Sequence, residues 1–225
     1  MTGWDRAYGA TAEAVCAALD PLARACGATR AEIAQRRGFL PPARAPLLWF
    51  HGASAGEMTA AAVLVRLLRG RGRAFVAGLS AANRAGVDAA RRSGLDDALV
   101  AFAPWDAPRR VVRAFDAWRP EALFLVETEL WPRLVFEAAR RAVPVFVVSA
   151  RLYPRDVGRY RAIRRFLAPT WQRLTAVLAQ DETERARFVE IGVPPEKCAV
   201  AGNLKHAAVA PAPRRWKPRC SACLR

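Results

Sequence analysis

From residue 47 onward the chain alternates between two patterns. Short unbroken apolar runs recur: LLWFHG (47–52), AFVAGLS (74–80), ALVAFAP (98–104), ALFLVE (122–127), VPVFVVSA (143–150), AVLAQ (176–180) and KCAVAGN (197–203). Runs of this length between turn signals are the mark of strands buried on both faces. Between them lie segments with apolar residues at helical spacing. The clearest is 57–70, with Met58, Ala61, Val65 and Leu68 on one face and Gly70 as its stop. Helices are also predicted over about 81–92, from an Asp106 N-cap through Trp118, over 131–142, over 155–174 with an interruption near Pro169, and over 182–192 with Gly192 as its stop.

Seven strands alternating with helices predict right-handed βαβ crossovers. The expected fold is α/β, a doubly wound, mostly parallel Rossmann-like sheet. Ligands of such sheets sit at the carboxyl ends of the strands. That rule singles out His51–Glu57, Ser80–Asn83, Glu127–Pro132, Ser149–Tyr153, Gln180–Glu182 and Gly202–Lys205.

The two ends differ from this body. Val15, Leu19, Leu22 and Cys26 repeat at helical spacing, so 9–26 reads as an amphipathic helix packed on its own domain. Asp5, Arg6, Glu13, Asp20 and Arg24 make it too polar for a membrane span or a secretory signal. Residues 210–225, APAPRRWKPRCSACLR, have no apolar period. The expected organisation is a helical segment over 1–30, a Rossmann-like domain over 31–207 and a disordered tail over 208–225.

Composition adds a question of partners. Lys and Arg number 36 against 20 Asp and Glu, a net charge of +16, and nearly all of the positive charge is Arg. Arg favours bidentate recognition of phosphate or carboxylate. A GC-rich genome, which favours Arg and Ala codons, is the plain alternative. Nucleic acid is not expected, because no helix-turn-helix, zinc finger or aromatic sheet motif accompanies the charge. The five cysteines are odd in number and scattered, which fits a reducing compartment. Cys220 and Cys223 have metal-like spacing but no second pair, and the two histidines, His51 and His206, are far apart. No metal site and no Ser-His triad are expected. A G-x-G-x-x-G fingerprint is absent.

The candidate chemistry lies at the strand ends. Ser54-Ala-Gly-Glu57 matches the S-x-x-E capping box, which needs no function. The same Glu57, at a strand's carboxyl end with Gly56 admitting a ligand to the backbone, could take a proton from an attacking hydroxyl. A helix N-terminus and nearby Arg would keep it ionised. Glu127 and Glu129 place two more carboxylates after the fourth strand, beside Trp131 and Pro132. Residues 151–173 hold seven Arg against Asp156 alone. Arg151, Arg155 and Arg159, spaced by four, are expected on one helical face with Tyr153 and Tyr160 interleaved, a binder of phosphates or anionic lipid heads. Lys205, after the last strand, could meet a carboxylate or phosphate.

The ordered set HGASAGE, ETELWP, SARL, AQDETERARF and GNLK, within about residues 30–206, resembles the N-terminal domain of the 3-deoxy-D-manno-octulosonic acid (Kdo) transferases, bacterial lipid A glycosyltransferases. The resemblance implies one half of a GT-B fold. It implies that this half binds the lipid A precursor, that a C-terminal domain binds CMP-Kdo, and that Kdo passes to an acceptor hydroxyl without a metal or other cofactor. It implies Glu57 as proton acceptor and Glu127 as its support. Ser54, Gly56, Glu129 and Lys205 are expected to bind the substrate from their places at the strand ends. Contact of Arg151, Arg155 and Arg159 with acceptor phosphates is an inference from charge. The implied place of work is the cytoplasmic face of the inner membrane, at its anionic surface.

Two departures accompany the resemblance. Residues 1–30 are too polar for the membrane-anchoring helix common in the family, and the sequence ends where the donor domain would begin. The expectation is an acceptor-domain fragment, inactive on its own. Two further readings stand beside it: a non-catalytic module that binds lipid A or an anionic membrane surface, and a GT-B enzyme using another sugar nucleotide.

Overall fold

The computed structural model describes residues 3–43 and 46–207; the expected tail, with Cys220 and Cys223, lies outside them. Seven strands form one wholly parallel sheet: β1 Leu47–Gly52, β2 Val76–Ala81, β3 Leu99–Phe102, β4 Ala122–Val126, β5 Val145–Ala150, β6 Ala176–Ala179 and β7 Cys198–Val200. Their spatial order is β3-β2-β1-β4-β5-β6-β7. The helices are α1 Gly3–Ala25, α2 Arg30–Arg36, α3 Ala55–Arg69, α4 Arg84–Arg91, α5 Pro108–Trp118, α6 Pro132–Arg140, α7 Pro154–Ala162, α8 Arg164–Arg173, α9 Glu182–Glu190 and α10 Leu204–Ala207. The doubly wound parallel sheet is the fold that the apolar runs predict.

The runs are continuous because both faces of the sheet are covered. On one face Trp49, Leu123, Leu125, Val145 and Val147 pack against Phe115, Trp118, Leu134, Trp171 and Phe188 from the helices. On the other, Phe50, Leu79 and Val148 meet Met58, Ala61, Val65 and Val87 of α3 and α4. Gly78 in β2 is set by this packing: a Cβ there would stand 2.9 Å from Trp118.

Several expectations are corrected. Asp106 does not cap the helix that follows it; Ala107 is that N-cap, without a side-chain bond. Asp106 instead accepts the Arg133 and Leu134 N–H groups at 3.0 and 2.9 Å, and so caps α6 from a loop across the domain. The predicted 155–174 helix is two helices, and the break falls at Ile163, with Pro169 inside α8. Seven-residue α2 was not anticipated.

The N-terminal helix docks by a different face from the predicted one. Val15, Leu22 and Cys26 are exposed, while Cys16 and Asp20 are buried. Asp20 accepts from Arg110 of α5 at 2.9 Å and from Arg37 at 2.7 Å. The Cys16 carbonyl accepts from Arg110, and the Tyr8 hydroxyl donates to Asp106 at 2.8 Å. Buried ion pairing, rather than the apolar stripe, chose the contact face.

Candidate active site

The strand order places a crevice between β1 and β4. From β1 the chain runs outward through β2 and β3; from β4 it runs the other way to β7. The loop after β1 therefore leads to α3 on one face, and the loop after β4 to α6 on the other. Diverging loops open a ligand site at this switch point. The β1–α3 loop carries Ser54 and Glu57, and the β4–α6 loop carries Glu127 and Glu129.

Glu57 sits in the first turn of α3, where Ser54 is the N-cap. Its Oε1 accepts from the Ser54 hydroxyl at 2.7 Å and its Oε2 from the Ala53 N–H at 2.6 Å. Ser54 Oγ in turn accepts the Glu57 N–H at 3.4 Å. The capping box is therefore real, shifted by one residue at its second bond. Burial pushes the Glu57 carboxyl above its ordinary range; the Ser54 and Ala53 hydrogen bonds and Lys205 pull it down, and Glu127 adds to the rise. Burial outweighs the donors, and the cation that opposes the rise is Lys205 rather than an arginine.

Glu127 has left-handed backbone, φ 60°. Its Oε1 lies 2.6 Å from Lys205 Nζ, so Lys205 is an ion-pair partner within the site. Glu129 Oε2 accepts the Trp131 indole N–H at 2.8 Å, and burial lifts its carboxyl too, helped by Glu57 and Glu127. Trp131 in turn meets buried His51 edge to face, centroids 5.0 Å apart. Burial holds His51 down to about 4, so it is neutral at pH 7, with Nδ1 3.0 Å from Ser80 Oγ. His51 is thus part of the floor beneath the acidic loop.

These groups face a cleft of about 310 Å³. Ser54, Glu57, Glu127, Glu129 and Lys205 line it, together with Tyr153, the N-cap of α7, and Asp156, Arg159 and Tyr160 along that helix. Gly56 lies at its edge, with the place of a Cβ 3.6 Å from Lys205 Nζ. Arg151, Arg155 and Arg159 do not share a helical face, because α7 begins only at Pro154. Arg159 reaches the cleft and pairs with Asp156 at 3.2 Å, while Arg151 and Arg155 flank the Tyr153 ring at 4.5 and 5.1 Å. Thr128, Leu152, Tyr153, Asp156 and Tyr160 line the cleft without having been singled out as site residues. For Thr128, Leu152 and Tyr153 the strand-end ranges were the available signal; Asp156 and Tyr160 lie beyond them, on α7.

The other strand-end stretches serve the scaffold. Asn83 caps α4 by accepting from Gly86 N–H at 2.8 Å. Buried Glu184, in the AQDETERARF stretch, accepts the Leu152 N–H at 2.6 Å and pairs with Arg187, which donates to the Leu152 carbonyl. That holds the loop carrying Tyr153 from behind. Among the described residues no group of three or more His, Cys, Asp or Glu could hold a metal ion. None of the described helices is long and apolar enough to cross a membrane.

A doubly wound parallel sheet with an acidic switch-point cleft defines a Rossmann-like α/β domain, equivalent to one half of a GT-B fold. Solved structures share that fold. A UDP-N-acetylglucosamine 2-epimerase aligns with TM-score 0.53 at 13% identity, over 70% of this chain and 48% of its own. The UDP-GlcNAc 2-epimerase of Methanocaldococcus jannaschii aligns with TM-score 0.51, also at 13% identity, over 72% of this chain and 47% of its own.

Sequence then gives the family. The model described as 3-deoxy-D-manno-octulosonic-acid transferase (kdotransferase) matches residues 31–208, and the chain belongs to that family. The 3-deoxy-D-manno-octulosonic acid transferase of Haemophilus influenzae is 30% identical over 180 residues, 79% of this chain and 42% of that protein. A probable mitochondrial one of Arabidopsis thaliana is 24% identical over 71% of this chain and 36% of its own. The chain thus spans less than half the length of these relatives.

Proposed function

We propose that the chain provides the acceptor-binding and proton-accepting part of a Kdo transferase, with residues 31–207 as the acceptor domain and 1–30 as a helical segment laid against it. The lipid A precursor is the acceptor and CMP-Kdo the donor. The acceptor hydroxyl oxygen bonds to the anomeric carbon of Kdo as the bond from that carbon to the CMP phosphate breaks. CMP leaves with the electron pair, and the hydroxyl proton passes to Glu57. Glu127 and Lys205 set the charge beside it, while Ser54, Gly56, Glu129 and Arg159 border the acceptor.

The observation that carries this reading is Glu57 itself: a carboxylate at the switch point, fixed by two hydrogen bonds and lifted above its ordinary range by burial. A base works best with its pKa near the working pH. The test is Glu57→Gln in the chain joined to a donor-binding domain from a relative. Transfer from CMP-Kdo should fall by about 10²- to 10⁴-fold, the usual worth of a general base, while acceptor binding to the chain is kept. Equal rates would end the assignment.

A contact with an anionic membrane surface is the companion reading. At the α7–α8 corner Ile163 and Phe166 are exposed, Phe166 at 58%. Arg155, Arg159, Arg161, Arg164 and Arg165 surround them in sequence. Apolar side chains ringed by Arg suit the interface of an anionic leaflet.

A further inference from the structure

Three strand ends beside the cleft are tied together by side chains that the proposed chemistry does not use. In β5 the ladder to β6 is irregular between Val147 and Ala150, and Ser149, in that gap, has φ 52°. Gln180, just after β6, donates from Nε2 to the Ser149 carbonyl at 3.0 Å and to its Oγ at 3.3 Å. Its Oε1 accepts from Asn203 Nδ2 at 3.1 Å. Asn203, after β7, accepts at Oδ1 from the Lys205 N–H at 2.9 Å and from the Ser149 hydroxyl at 3.5 Å. The Leu204 N–H donates back to Ser149 Oγ at 3.4 Å.

Each amide has one orientation that suits this set. Turning Gln180 over would put its oxygen against the Ser149 carbonyl and its NH₂ against the Asn203 donor. The irregularity in β5 leaves a backbone carbonyl for a side chain to satisfy, as such irregularities do when they re-aim a neighbouring segment. What is re-aimed here is the 202–205 turn, and it ends with Lys205 Nζ 2.6 Å from Glu127 Oε1. Lys205 is 42% exposed at its side chain. A flexible ammonium that open to water does not hold one geometry by charge alone.

We propose that Ser149, Gln180 and Asn203 are positioning residues whose hydrogen-bond network holds Lys205 on Glu127 at the mouth of the cleft. The network thereby sets the charge felt by Glu57. Glu57 is faced by Glu127 and Glu129 from the β4–α6 loop, by Lys205 from α10, and across the cleft by Asp156 and Arg159 from α7. Lys205 opposes the rise in Glu57 that burial and Glu127 produce. The inference deepens the reading of Glu57 as proton acceptor, but it can be tested without any transfer reaction.

The experiment is a carboxyl-carbon NMR titration of Glu57 in the full chain, with no donor or acceptor present. Lys205→Met is the reference, and its Glu57 midpoint should move upward. Gln180→Met and Asn203→Ala, which leave the charges in place, should each move it in the same direction. Combining Lys205→Met with Asn203→Ala should add nothing to Lys205→Met. Amide spectra check that each variant is folded. If Gln180→Met is not, Asn203→Ala, outside the sheet, decides alone. Folded network variants that titrate like wild type overturn the proposal, and so does a Lys205→Met variant that leaves Glu57 unmoved. Loss of transfer in Glu57→Gln bears on the base assignment and not on this one.

Discussion

Gly52 and Glu57 occupy each other's space. A Cβ on Gly52 would stand 2.9 Å from Glu57 Cβ and 3.2 Å from its Oε2. The last residue of β1 is bare so that the carboxylate can fold back onto the Ala53 N–H. Gly52→Ala should displace Glu57 and cost about 1–3 kcal/mol, the usual range for an overpacked site. A thermal melt checks the stability. With a donor domain supplied, the transfer rate should fall towards that of Glu57→Gln.

The pH dependence of transfer should carry the mark of Glu57. Its carboxyl is raised by burial, and a base must be ionised to act. The acidic limb of kcat/KM should therefore lie above the ordinary carboxylate range, with activity rising with pH. Replacing Glu127 with Gln removes a raising charge and should shift the limb to lower pH. A limb at the ordinary position in the wild-type protein would contradict the buried setting.

Asp106 supplies a second pH signature, in stability. Burial pushes its carboxyl from 3.8 up to about 6, against the donors Arg133, Leu134 and Tyr8. Below pH 3.8 the side chain is protonated in both folded and unfolded chains and costs nothing. As pH rises towards 6 the unfolded chain ionises first, so the folded state loses stability relative to it, by at most about 3 kcal/mol. Asp106→Asn abolishes the titration. The Tm of the wild type minus that of Asp106→Asn should fall between pH 4 and pH 6 and then level. A flat difference would show that Asp106 is not desolvated.

The clamp on α1 is open to denaturant measurements. Arg110 and Asp20 are each 8% exposed at the side chain and 2.9 Å apart. Arg110→Met leaves Asp20 buried with the half-exposed Arg37 as its remaining charged partner among the described residues. The loss should be about 3–5 kcal/mol, typical of breaking one half of a buried pair. Replacing Arg110 and Asp20 together with apolar residues should recover much of it.

Arg159 and the α7–α8 corner should separate in binding assays. Arg159→Gln should weaken binding of a phosphorylated acceptor fragment, because Arg159 borders the cleft. Arg151→Gln should not. Phe166→Ser with Arg164→Gln and Arg165→Gln should weaken binding to anionic vesicles and lessen its dependence on salt, leaving the fragment unaffected.

The sequence made the strands legible because a parallel sheet covered on both faces needs unbroken apolar runs, and 47–52 or 143–150 could bury nowhere else. It made Glu57 legible because a capping box is local. What it hid is non-local. Asp106 lies next to α5 but caps α6, a partner 28 residues on that no spacing reveals. The predicted apolar stripe of α1 lost to an ion pair between residues 90 apart. Lys205 and Glu127 are 78 residues apart and meet only because β5, β6 and β7 stand in that order beside β4. Arg151 and Arg155 carry the right charge at helical spacing, but Pro154 starts the helix too late to align them.

Glu127 and Ser149 turn left-handed at the ends of neighbouring strands, at φ 60° and 52°. Glycine would take that conformation more readily, so both positions hold side chains against a folding preference of about 1 kcal/mol each. A chain selected only for robustness would drift to glycine there. Glu127→Gly is accordingly the change in which relief of backbone strain and a more poorly aimed Lys205 should come together, whereas at Ser149 the loss of the buried hydroxyl's bonds to Gln180, Asn203 and the Leu204 N–H offsets the relief.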